Sequence, residues 1–265
     1  MLNLFRHLCV LQTSSTTTVV AYRMHLALIT GANRGIGYAL ADTLCSRGFH
    51  VLVGARSLER GEQAAAQLRS RGGNADALLL DLEQPETFAA AAEHIAARFG
   101  ALDVLVNNAG IMIEAEEWNT NTTLTIPPAV LHRTFQVNFF GPVELTQQLL
   151  PLLRKSTDGR IVNISTILAS LQLHATPGSN TYPTKTFGYN SSKTALNAFT
   201  VHLAHALQGT PIKVISVHPG WVQTELGGKG ALISPQKAAE DIAELIVAAE
   251  PPTGVVLFRG SPLPW

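Results

Sequence analysis

Seven runs of strand length in this chain are apolar along their whole course, not at alternate positions, and no other feature constrains the fold as tightly. They read LALIT (26–30), HVLVGA (50–55), ADALLLD (75–81), LDVLVNNAG (102–110), GRIVNIS (159–165), IKVISVHPG (212–220) and GVVLFR (254–259). A strand with one wet face alternates, whereas a strand that is apolar throughout is covered on both faces. Ala-rich and Leu-rich segments of helix length separate the runs. The expected fold is therefore α/β, a doubly wound parallel sheet of about seven strands with helices on both faces.

Composition narrows the class further. With 265 residues, 46% hydrophobic and 14% charged, the chain buries a large core, and residues 24–265 read as one domain. Formal net charge is zero with 19 residues of each sign, so no global field draws the chain to nucleic acid or to an anionic membrane. Cys9 and Cys45 offer neither a disulfide framework nor a metal-ligand spacing. A reducing, cytoplasmic setting without a metal is the expectation. Residues 1–23, MLNLFRHLCVLQTSSTTTVVAYR, contain no acidic residue, are interrupted by Arg6 and His7 and run into a Ser/Thr tract. That stretch is too short and too broken to span a membrane. It reads either as a disordered arm or upstream-start extension ahead of Met24, or as a segment with transit-peptide-like composition.

Directly after the first run comes TGANRGIG (30–37), followed by the helical pattern YALADTLCSRG (38–48). A strand, a glycine turn and a helix form an anion site, because the first-turn N–H groups lack backbone partners and carry the positive end of the helix dipole. The spacing of Gly31, Gly35 and Gly37 differs from the common G-x-G-x-x-G fingerprint, and a structural turn is a competing reading. Arg34 beside that turn is out of place unless an anion lies next to it.

A second constellation carries chemistry. YNSSK puts Tyr189 and Lys193 one helical turn apart on one face. A phenol titrates near pH 10, and an ammonium about 4–5 Å away at an effective dielectric near 20 favours its anion by roughly 3–4 kcal/mol, or two to three pKa units. Lys193 is thus placed to tune Tyr189 toward acid–base work. The bland reading is a half-buried tyrosine with a solvated neighbour. His174 and His218 are weaker acid–base candidates, and YPTK has the wrong spacing, since Tyr182 and Lys185 are three apart.

Taken in order, TGANRGIG, LLLDL, NNAG, the Asn of QVNFFG, NIST, YNSSK and HPGWVQT resemble the short-chain dehydrogenase/reductase family over residues 24–265, and most of all its carbonyl-reductase-like members. The resemblance implies a Rossmann-type fold and a bound NADP(H). Gly31, Asn33, Arg34, Gly35, Ile36 and Gly37 would form the pyrophosphate turn, Asp81 and Leu82 would meet the adenine, and Asn108, Ala109 and Gly110 would line the adenosine side. Pro219, Gly220, Val222 and Thr224 would close over the nicotinamide. Tyr189 would exchange the proton, Lys193 would hold the ribose, and Asn138 would fix a water linking Lys193 to solvent. Each has a plainer alternative: Asp81 as a helix cap, Asn107 as a stitch between strands, Asn138 as a surface helix residue.

The chain departs from the family in two places. IST stands where ISS is common, making Thr166 the matching hydroxyl, with Ser165 the rival. The segment between Thr166 and Tyr189 is also longer than the family pattern, and its irregular stretch (171–188), with Leu168, Trp221 and Met112, is expected to line an apolar substrate pocket. A second irregular stretch covers 114–128. NAD-preferring relatives carry an acidic residue at the end of the second strand; here stand Ala55 and Arg56, which with Arg34 favours the 2′-phosphate of NADP(H). The expected activity is interconversion of a ketone or aldehyde and its alcohol, with no nucleic-acid or membrane partner and a homo-oligomer left open. The alternative is a cofactor-sensing protein of the same fold with little turnover.

Overall fold

A computed structural model describes residues 7–13, 16–22, 24–118, 120–228 and 230–265, the first two segments by their backbone alone. The readings of residues 1–23 fall partly outside the described residues. Within them, β1 (His7–Thr13) and β2 (Thr16–Tyr22) pair antiparallel as a two-stranded sheet of their own.

The main sheet is built from β3 (Leu26–Thr30), β4 (His50–Ala55), β5 (Asn74–Leu79), β6 (Val104–Asn107), β7 (Arg160–Ile164), β8 (Lys213–Val217), β9 (Val255–Phe258) and β10 (Ser261–Pro262). Their order is β10-β9-β8-β7-β6-β3-β4-β5, parallel throughout except for the last two-residue strand, which runs antiparallel to β9. All seven apolar runs are therefore strands. The eighth is a short edge strand with a proline, placed where a missing N–H is tolerated.

The wholly apolar pattern has the expected cause. Every residue of β3 and β7 is buried, and each face of the sheet carries its own core. On one face lie α1 (Gly35–Ser46), α2 (Leu58–Ser70) and α8 (Pro235–Val247), contributing Leu40, Leu44, Leu68 and Ile242. On the other lie α3 (Glu86–Arg98), α5 (Gly141–Leu153) and α7 (Phe187–Ala206), contributing Phe88, Ile95, Leu145 and Leu149. Each fully buried Leu or Ile is worth about 1.5–3 kcal/mol, so these layers hold the sheet between them. No helix among the described residues is long and apolar enough to cross a membrane.

Two segments feeding the site differ from the sequence reading. Within 171–188, a one-turn helix α6 (Leu171–Ala175) forms because Ser170 Oγ accepts from Leu173 N at 3.2 Å. Between α4 (Pro128–Phe135) and α5, residues Gln136–Phe140 form a single wide π turn. The stretch 114–128 is irregular up to the start of α4, as expected. The strand order reverses between β3 and β6, which opens a crevice at their carboxyl ends, the usual ligand position in open α/β sheets.

Candidate active site

The glycine turn occupies that crevice. Gly31 and Gly35 have φ of 65° and 57°, a region closed to most side chains. Gly37 works differently from the expectation: it is buried behind the turn, where a Cβ would lie 2.5 Å from Asn108 Nδ2 and 2.7 Å from the Gly31 carbonyl. It lets α1 pack closely and does not line the groove. Asn108 locks the arrangement, its N–H donating to Thr30 Oγ1 at 3.0 Å and its Nδ2 to the Thr30 carbonyl at 2.7 Å. The first turn of α1 has no side-chain cap and no acidic residue, so its N–H groups face the groove unopposed.

Asn33, Arg34, Gly35, Ile36, Arg56, Asp81, Leu82, Asn108, Ala109 and Gly110 line this groove together. Ser57 and Arg60 of the α2 start join them, and sequence reasoning missed both; Arg60 lies one turn from Arg56 and was legible. Arg34 reaches across the groove to Glu225, so the wedged arginine has a carboxylate partner. Asp81 caps no helix: its Oδ1 accepts from Glu83 N at 3.0 Å in a local turn.

Ile36, Asn108, Gly110, Thr224 and Leu226 border both this groove and a second cleft of about 490 Å³. The second cleft holds Thr166, Leu168, Tyr189, Lys193, Pro219, Gly220, Trp221, Val222 and Thr224, gathering the sequence candidates from three separate segments. The Thr166 and Tyr189 hydroxyls line it together, Thr166 near enough to the phenol to favour its anion. Thr166 Oγ1 accepts from Leu168 N at 3.2 Å, which fixes its rotamer. Ser165 faces the other way, donating to Asn197 Oδ1 at 2.7 Å, as alternation along a strand requires.

Lys193 is 3% exposed and donates from Nζ to the Ile164 carbonyl at 2.7 Å. Burial brings its ammonium down to about 8. Burial also raises Tyr189 above the ordinary tyrosine range, with the Thr166 hydroxyl pulling the other way. Lys193 is not among the groups that lower the phenol in this arrangement, its ammonium being directed at the strand-end Ile164 carbonyl. Enclosure thus favours the neutral phenol.

Asn138 is no surface residue. It is fully buried on the π turn, with Oδ1 accepting from Ile111 N at 2.8 Å and Nδ2 donating to the Ile111 carbonyl at 2.8 Å and to Ser192 Oγ at 3.0 Å. Both amide hydrogens are used in tying the strand end to the helix of Tyr189. At Gly110 a Cβ would lie 3.3 Å from both Asn138 Oδ1 and Lys193 Nζ, so the glycine lets these side chains converge. Asn107 stitches strands, donating to Asn163 Oδ1 at 2.8 Å.

The longer 171–188 segment supplies Asn180, Thr181 and Thr184 to the cleft wall. Met112 instead borders an adjoining cavity. Trp118, unremarked in the sequence, meets the Tyr189 ring edge-on with centroids 5.1 Å apart. Burial pushes the His218 imidazole down to about 4, leaving it neutral. His174 and Lys185 pair within the loop, Lys185 Nζ donating to the His174 carbonyl at 2.9 Å.

Residues 25–231 match the short chain dehydrogenase family. The short-chain dehydrogenase anuI of Penicillium roqueforti (strain FM164) is 37% identical, over 85% of this chain and 90% of its own length. Carbonyl reductase 1 (NADPH) of Mus musculus is 30% identical, over 91% and 98%. Among solved structures, an NADPH-bound carbonyl reductase from chicken fatty liver superposes with a TM-score of 0.79 at 25% identity, over 92% of this chain and all of the other.

Proposed function

We propose that this chain, which belongs to the short-chain dehydrogenase family, is an NADP(H)-dependent oxidoreductase that interconverts a ketone or aldehyde and the corresponding alcohol. The observation that carries the reading is the Thr166–Tyr189 hydroxyl pair beside Lys193, at the end of a groove that begins on the uncapped start of α1. The groove suits a dinucleotide: Gly31 and Gly35 make its turn in the left-handed region, and Arg34, Arg56 and Arg60 border the far end. When bound, NADP(H) supplies or accepts the hydride.

The chain's own groups do the rest. Asn33, Gly35 and Ile36 would hold the pyrophosphate on the α1 start, Asp81 and Leu82 the adenine, and Pro219, Gly220, Val222 and Thr224 the nicotinamide side. Neutral Tyr189 donates its proton to the substrate oxygen as negative charge gathers there. Thr166 donates a second hydrogen bond to that oxygen. Lys193, charged, supports the phenolate left behind. Leu168, Trp118 and Trp221 shape an apolar wall and keep water from the reacting carbon.

Turnover of reduced nicotinamide with a panel of ketones and aldehydes, followed by its absorbance, tests the reading. NADPH binding without turnover of any carbonyl or alcohol would instead favour a sensing protein.

The sign of the pH dependence follows from Lys193. Its charge is present below about pH 8 and lost above it, so carbonyl reduction is expected to be level on the acid side and to decline as pH rises through about 8. A rate that climbs across that range would contradict the role of the ammonium.

Cofactor preference gives a further expectation. Arg56→Ala should weaken NADPH binding by about 1–3 kcal/mol, the value of charge-assisted hydrogen bonds, and leave NADH nearly unchanged. Arg34→Ala should cost less, because Arg34 must exchange Glu225 for phosphate. Equal dissociation constants for NADPH and NADH in the unaltered protein would refute the preference.

A further inference from the structure

The helix that carries Tyr189 and Lys193 starts without a cap of its own: the Thr186 side chain at its N-cap accepts from none of the first-turn N–H groups. The three first-turn N–H groups go instead to side chains 65 to 75 positions earlier in the chain. Thr122 Oγ1 accepts from Phe187 N at 2.8 Å, Glu114 Oε2 from Gly188 N at 2.7 Å, and Glu114 Oε1 from Tyr189 N at 2.8 Å. The Thr122 hydroxyl donates to Glu114 Oε2 at 3.2 Å, so the two capping groups brace each other. Gly188 makes the approach possible, since a Cβ there would lie 2.8 Å from Glu114 Oε2. A carboxylate accepting from helix-start N–H groups is the favourable charge for that end of the dipole. The same segment carries Trp118, whose ring stands edge-on against Tyr189. Tyr189 is therefore held twice by one loop, at its main-chain nitrogen and at its ring.

We infer that Glu114 is a positioning residue for the reaction: by docking itself, Trp118 and Thr122 against the first turn of α7, it aims the Tyr189 hydroxyl and sets the Trp118 wall of the substrate cleft. This rests on Tyr189 being the proton-transfer group. The carboxylate touches neither the phenol oxygen nor the cleft, and it acts through the helix start and the loop.

The test uses the full chain with NADPH and a carbonyl substrate that the unaltered protein reduces, with rates expressed per NADPH-binding site so that loss of folded protein drops out. Glu114→Ala is expected to lower kcat at least about tenfold, since small misplacements of reacting groups are costly, while the NADPH dissociation constant stays within about twofold. Glu114→Gln, which keeps one carbonyl acceptor, should recover part of the loss. Because both residues act on the same ring, the Glu114→Ala/Trp118→Ala double variant should lose less than the product of the single losses. A Glu114→Ala variant with unchanged kcat per binding site, or single losses that multiply in the double variant, would overturn the inference. Absence of turnover in the unaltered protein is a different failure, which defeats the catalytic reading and this inference with it.

Discussion

Tyr189→Phe is expected to reduce kcat by about 10²–10⁴-fold, the usual worth of a positioned acid–base group, while leaving the NADPH dissociation constant nearly unchanged. The ring is 6% exposed and packs edge-on against Trp118, contacts that phenylalanine keeps. Only the hydroxyl that meets Thr166 is lost. Thr166 Oγ1 still accepts from Leu168 N, so its side chain remains oriented and the site should not collapse. Steady-state rates and a fluorescence titration of NADPH, measured on the same preparation, separate chemistry from binding. Retention of more than about a tenth of the original kcat, far above the acid–base expectation, would remove Tyr189 from the proton path.

Thr166→Ala is the second large loss, about 10²–10³-fold in kcat, the typical effect of deleting one hydrogen-bond donor to a developing oxyanion. Its neighbour supplies the control. Ser165 donates to Asn197 Oδ1 on the opposite side of the strand, so Ser165→Ala should leave kcat nearly intact and show its effect in stability, about 1–3 kcal/mol for a buried acceptor left unpaired. Thr166→Ser retains the hydroxyl without the methyl and should remain active. The reverse ranking, with Ser165→Ala crippled and Thr166→Ala unharmed, would assign the donor to the wrong residue.

Strands were legible in this sequence because burial on both faces leaves a mark at every position, and each of the seven apolar runs became a strand. The glycine turn and the Tyr189–Lys193 pair were legible for a related reason: their partners lie within a few residues, where spacing and geometry are nearly the same thing. What was hidden depends on distance along the chain. Arg34 meets Glu225 from 191 positions away, and Glu114 reaches α7 across 75. No local pattern encodes either. Lys193 was legible as a neighbour of Tyr189, but its bond to the Ile164 carbonyl was not, nor was the enclosure that favours the neutral phenol. Trp118 passed unnoticed because an aromatic residue in an irregular segment has no period to betray its face. Helix α6 needed Ser170 and a distant contact, Gln172 N donating to the Trp265 carbonyl at 2.7 Å.

The π turn at Gln136–Phe140 sets a limit on how this chain can change length. It holds the buried Asn138 against Ile111 and Ser192, and just beyond it Gly141 approaches so closely that a Cβ would lie 2.8 Å from both Leu82 Cβ and the Leu82 carbonyl. Removing one residue here would turn the wide i→i+5 turn into an ordinary i→i+4 one, leaving the faces of α4 and α5 in phase but withdrawing the bulge that presents Asn138. Irregular stretches such as 171–188 can lengthen or shorten among descendants of this protein, because each end absorbs the change. Within 136–140 the number of residues and the asparagine at 138 are held together.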